Sequence, residues 1–158
     1  MSGTVKSPAA LTEAMLTASR ALVGVAARSL AIAAPRDVTL PQYRALVVLA
    51  ARGPLRVGDF AAVLGIHPST ATRLCDRLVD RRLVRRAVDR SNRRETTITL
   101  SAAGRRVVDA VTEVRRAEIA TIVDRIPVEL RQPAVAALVA FAEAAGEPAD
   151  EAWTLGWS

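Results

Sequence analysis

Gly65-Ile66-His67-Pro68-Ser69-Thr70-Ala71-Thr72-Arg73-Leu74-Cys75-Asp76-Arg77-Leu78 is the stretch whose reading decides how this chain folds. Gly65 supplies the backbone freedom that a sharp turn after a helix needs, and Pro68 suits the first turn of the helix that follows. From there Ala71, Leu74, Cys75 and Leu78 recur at three- and four-residue steps, so they share one face of a helix reaching to about Arg82. The opposite face carries Ser69, Thr70, Thr72, Arg73, Asp76 and Arg77.

Upstream, Val57 to Leu64 reads as a shorter helix, with Ala61 small where two helices must cross closely, and Leu55-Arg56 as an extended link before it. Thr39-Leu40-Pro41 starts a helix over Gln42 to Ala51 that stops at Gly53-Pro54. Ser7-Pro8 starts a long one in which Leu11, Met15, Ala18, Leu22, Val25, Ser29 and Ile32 form an apolar stripe as far as Pro35. Downstream the period changes at Leu83. Leu83 to Val88 alternates, and Glu95 to Leu100 is rich in β-branched residues, which gives a β-hairpin with a basic tip. Ser101 caps a long helix carrying Val107, Val111, Val114, Ile119, Ile122 and Ile126, and Pro127 breaks it. A last helix runs to Gly146, with Pro133 either kinking it or marking a later start.

The pattern is mainly α with a small β-hairpin: a winged helix-turn-helix lobe at residues 39–100, long helices at 7–35 and 101–146, and a tail at 147–158, all in one domain of 158 residues. The long helices carry more apolar surface than a monomer of this size buries, which implies pairing of two copies through them. The tail holds both tryptophans, Trp153 and Trp157, residues suited to anchoring it on a partner helix.

Charge points the same way. Nine arginines between Arg73 and Arg94, set against Asp76, Asp80 and Asp89, carry the whole formal net charge of +6, so the rest of the chain is balanced. A located basic segment implies a polyanion-binding face. Short hydroxyl residues and arginines near a helix start suit base edges in a major groove while backbone amides meet phosphate. The competing reading is a solvated face on which Arg73, Asp76, Arg77 and Asp80 pair within the helix. At the hairpin tip Arg90, Arg93 and Arg94 suit a narrow minor groove, and Asp89 is placed to hold one of them in position.

Taken together, Leu40-Pro41-Gln42-Tyr43, Leu64 through Leu74, Asp80-Arg81-Arg82-Leu83-Val84, Asp89 through Arg94 and Leu100-Ser101-Ala102-Ala103-Gly104 resemble the MarR family of bacterial regulators over Thr39–Arg116. The resemblance implies a homodimer with interlocked terminal helices and two lobes on double-stranded DNA. It also implies repression of a palindromic operator, relieved by a small aromatic or carboxylate effector or by oxidation; a constitutive regulator or activator without a ligand is the alternative. His67, Ser69, Thr70, Thr72, Arg73, Arg77, Arg90, Arg93 and Arg94 are then the DNA-binding residues and Asp89 the wing-positioning one. Two departures stand out: His67 is a poor cap where the family often has Ser or Asp, and Asn92 replaces an acid before the wing arginines.

Other chemistry lacks parts. His67 is the only histidine and Cys75 the only cysteine, so no histidine metal cluster, catalytic triad or intrachain disulfide is available. There is no phosphate-binding glycine loop, so neither an enzyme nor a cofactor is expected. On the inward helix face Cys75 reads as packing. Tyr43, Arg44 and Arg28 either line an effector cleft or make ordinary ion pairs. The first residues lack the apolar block of a signal peptide, and Ala21 to Ala34, interrupted by Arg28, is too short to span a bilayer, so a cytoplasmic protein without a membrane partner is expected.

Overall fold

A computed structural model describes residues 7–88 and 96–147. In chain order the elements are α1 (Pro8–Ala33), α2 (Leu40–Arg52), β1 (Leu55–Arg56), α3 (Val57–Leu64), α4 (Pro68–Asp80), β2 (Val84–Val88), β3 (Thr96–Leu100), α5 (Ala102–Val123) and α6 (Val128–Ala144). The helix starts follow the local chemistry. Ser7 Oγ accepts the Ala10 N–H at 3.4 Å, the Gln42 side chain accepts the Thr39 N–H at 2.9 Å, and Ser101 Oγ accepts the Gly104 N–H at 3.0 Å.

The expected hairpin is present, with Val84 opposite Leu100 and Val88 opposite Thr96. It gains a third strand. Leu55-Arg56, read as a bare link, pairs antiparallel with β3 through Leu55↔Ile98 and Arg56↔Thr97, so β3 is central in the order β1-β3-β2. Two residues are too few to show a period of two, and their partner lies some forty positions away.

α4 stops at Asp80, two residues short of the expected end. Arg82 takes a left-handed conformation, φ +58°, the Arg82 N–H reaches the Val79 carbonyl at 2.8 Å, and the Leu83 N–H reaches the Leu78 carbonyl at 2.9 Å. That is a Schellman closure with an arginine where glycine is usual, and it turns the chain directly into β2.

Leu46 and Leu49 of α2, Phe60 of α3, Cys75 and Leu78 of α4, Ile98 of β3, and Val108 and Val111 of α5 form the core. α1 packs on α5, burying Val25 and Ser29, whose hydroxyl donates to the Val25 carbonyl at 2.8 Å. The remainder of α1 is largely exposed. At 26 residues α1 is longer than the apolar stretch singled out above, and by length and composition alone it would suffice to cross a bilayer. α6 runs through Pro133 as one helix, which settles the choice between a continuous element and a later start, and no residue of it is buried.

Gly104, in the first turn of α5, lies against the turn between α4 and β2. A Cβ there would stand 2.1 Å from the Leu83 carbonyl oxygen and 2.7 Å from Leu100 Cδ1. Helix propensity alone favours Gly104→Ala by about 1 kcal/mol. The clash is with backbone and wins, so the substitution is expected to destabilise by about 3 kcal/mol in urea or thermal unfolding; a stabilised variant would contradict the packing described.

Candidate nucleic-acid interface

α4 is held by its inner face. Ala71, Cys75 and Leu78 are fully buried, while Ser69, Thr70, Thr72, Arg73 and Arg77 are exposed together on the other side. Between α3 and α4, Gly65 adopts φ +64° and the Ile66 N–H closes onto the Ala61 carbonyl at 3.0 Å. Ala61 is itself buried, as a close crossing of the two helices requires.

Two local expectations are corrected at the start of α4. His67 does cap: its Nδ1 accepts the Ser69 N–H at 3.3 Å and faces Ser69 Oγ at 2.9 Å, which needs that ring nitrogen unprotonated. Free amides, by contrast, are scarce. Pro68 has none, the Ser69 amide goes to His67, and those of Thr70 and Ala71 go to the His67 carbonyl at 2.9 and 3.0 Å. The helix start therefore offers hydroxyls and an imidazole more than amides. Thr72 donates its hydroxyl to the Pro68 carbonyl at 3.0 Å, which leaves the oxygen able to accept and the methyl available for an apolar contact.

No ion pair forms within α4. Asp76 instead binds Arg86 of β2, and Arg73 and Arg77 have no ion-pair partner among the described residues. The picture of a face laced with its own i,i+4 pairs is therefore not what the structure adopts. Of the arginines that connect helix and hairpin, Arg81 is used internally, binding the Asp37 carbonyl, its carboxylate at 3.2 Å and Gln42 Oε1 at 3.2 Å. Arg82 and Arg85 remain without a partner among the described residues. Asp89, Arg90, Arg93 and Arg94, like Trp153 and Trp157, lie outside the described residues.

Tyr43, Arg44 and Arg28 do not converge on one cleft. Tyr43 is buried with the Arg115 guanidinium 5.4 Å from its ring centroid, Arg28 pairs with Glu118, and Arg44 forms a two-pronged pair with Glu147 at 2.8 and 2.7 Å. That hydrogen bonding raises the Arg44 pKa and lowers that of Glu147. Arg44 also borders a cleft of about 370 Å³ between α2 and α4, lined by the apolar Pro41, Leu64, Ile66 and Leu74 and by Arg73 and Arg77. No sequence signal marked this cleft, because its walls come from three separated segments.

A helix, a tight turn, a second helix with its polar face free, and an antiparallel wing define a winged helix DNA-binding protein. A MarR family model matches residues 36–95. RV1404 from Mycobacterium tuberculosis is 44% identical, superposes with a TM-score of 0.83, and the match covers 91% of this chain and 97% of that one. The HTH-type transcriptional regulator YfiV of Bacillus subtilis is 31% identical over 71 residues, 45% of this chain and 44% of that relative, so the chain spans under half the length of its curated relative. A point mutant of MepR from Staphylococcus aureus, solved bound to an oligodeoxyribonucleotide, shares the fold at 24% identity and a TM-score of 0.62, covering 85% of this chain and 96% of that one. The chain belongs to the MarR family and is a transcriptional regulator with a DNA-binding fold.

Burial pushes the Cys75 thiol up to about 11, against the pull of the nearby Arg86 charge. Below that value the group is a neutral thiol, and the thiolate is the reactive form. Cys75 is expected to be inert to a disulfide reagent at pH 8 in the native protein and to react fully after denaturation; rapid native labelling would mean that α4 opens.

Proposed function

We propose that this protein is a homodimeric repressor that acts in the cytoplasm on a palindromic operator. The observation that carries the reading is the pair of exposed arginines, Arg73 and Arg77, left without partners among the described residues on the outer face of α4. In this reading Thr72 and Arg73 reach base edges, His67, Ser69, Thr70 and Arg77 meet the backbone around them, and Arg90, Arg93 and Arg94, positioned by Asp89, extend the grip to the neighbouring groove. The fold is shared with a MepR mutant solved bound to an oligodeoxyribonucleotide, which supports DNA as the partner.

Pairing of two copies through residues 7–35 and 101–146 follows from unfilled apolar surface. Leu22, Val135, Leu138 and Phe141 are each half exposed or more, and a groove of about 580 Å³ between α1 and α6 is lined by Leu11, Met15, Leu16, Ala137 and Phe141. Contiguous apolar surface of this kind is an association site, and two-fold pairing is the commonest way to cover it. It also accounts for the apolar length of α1 without a membrane.

The effector is a small aromatic or carboxylate molecule, supported by the apolar and arginine side chains that line the cleft between α2 and α4. Arg73 and Arg77 belong to that lining, so a bound anion and DNA draw on the same side chains. A constitutive regulator is the outcome if no such anion shifts DNA affinity.

If the dimer neutralises about eight phosphates, log affinity against log salt should fall with a slope near −7. A flat response between 50 and 200 mM salt would remove the DNA reading. Arg73→Ala is expected to narrow the preference for operator over random duplex by about 1–3 kcal/mol, whereas Arg93→Ala and Arg94→Ala should weaken both alike. Equal losses on both duplexes for Arg73→Ala would reduce it to a phosphate contact.

A further inference from the structure

The Asp76–Arg86 pair joins the reading helix to the first strand of the wing and is left over when the DNA contacts have been assigned. Asp76 lies three residues after Arg73 and four after Thr72, on the same side of α4, which is the spacing at which side chains on a helix meet. A carboxylate there has two consequences for a DNA-reading face: it repels phosphate, and it is a ready partner for Arg73. Neither is realised, because the Arg86 guanidinium holds Asp76 Oδ1 from across the α4–β2 turn.

We propose that Arg86 is a positioning residue, not a DNA contact: by occupying Asp76 it keeps Arg73 free to read DNA and sets the base of the wing against α4. The inference rests on the proposed role of α4 and deepens it. Asp76 and Arg86 are both half exposed, at 49% and 42% of the side chain, so the pair adds little to folding and its value lies in the charge arrangement. The sequence contains the reason for a second arginine. An arginine on the strand, outside the helix repeat, can neutralise a helix carboxylate without using the helix's own cations.

The test compares the full-length chain with Arg86→Gln and with Arg86→Gln combined with Asp76→Asn, on an operator duplex recovered by selection from random sequence and on random duplex of equal length. Melting temperatures of all three should agree within a few degrees. Arg86→Gln is expected to lower the operator-to-random affinity ratio about tenfold, since Arg73 is captured by the released carboxylate, while the salt slope stays unchanged. Adding Asp76→Asn should restore the ratio, because nothing then competes for Arg73. If Arg86 instead touches phosphate, operator and random affinities fall together, the slope drops by about 0.9 for each lobe, and the double variant does not recover the ratio. If Asp76 itself reads a base, the double variant stays as unselective as Arg86→Gln. Either result overturns the proposal. An unsubstituted chain with no preference for operator overturns the DNA reading and the proposal with it, whereas preference without rescue overturns the proposal alone.

Discussion

The contact on which the rest of the structure depends is the close approach of the first turn of α5 to the backbone at Arg82-Leu83. Ser101 donates its amide to the Leu83 carbonyl at 3.0 Å and its hydroxyl to the Arg82 carbonyl at 2.7 Å, and Gly104 leaves no space for a side chain above them. Three elements end or begin here. α4 closes through Arg82, the wing departs through β2, and the long helix that packs on α1 starts at Ala102. An error of one atom at this junction would change the angle between helix, wing and α5 together, since packed interiors transmit displacement instead of absorbing it.

The same junction explains what was readable in the sequence. The two faces of α4, the glycine turn before it and the proline and serine starts of α1, α4 and α5 are local patterns, and each element lies close to where periodicity places it. What escaped depends on distant partners. β1 is a strand only because Ile98 and Thr97 pair with it, and Arg81 is an internal strut only because Asp37 and Gln42 lie beside it. His67 is an uncommon residue type at a helix start, yet its unprotonated ring nitrogen accepts an amide as a hydroxyl does.

The net charge of +6 changes meaning when its arginines are placed. Arg81 and Arg86 are engaged within the protein and contribute little directed force outside it. Arg73 and Arg77 on α4 and Arg82 and Arg85 at the foot of the wing have no partner among the described residues, on elements fixed by a buried core. Rigid placement matters here because a guanidinium held in place loses less freedom when it meets its partner.

α6 has a consequence of a different order. An isolated helix of its 17 residues is marginal in water, the proline inside it weakens it further, and none of its residues is fully buried among the described residues. Its order must then come from whatever covers its apolar side, here proposed to be a second copy, which makes protein concentration part of the folding equilibrium. On dilution the helix would fray, and Glu147 just beyond its end would loosen its hold on Arg44.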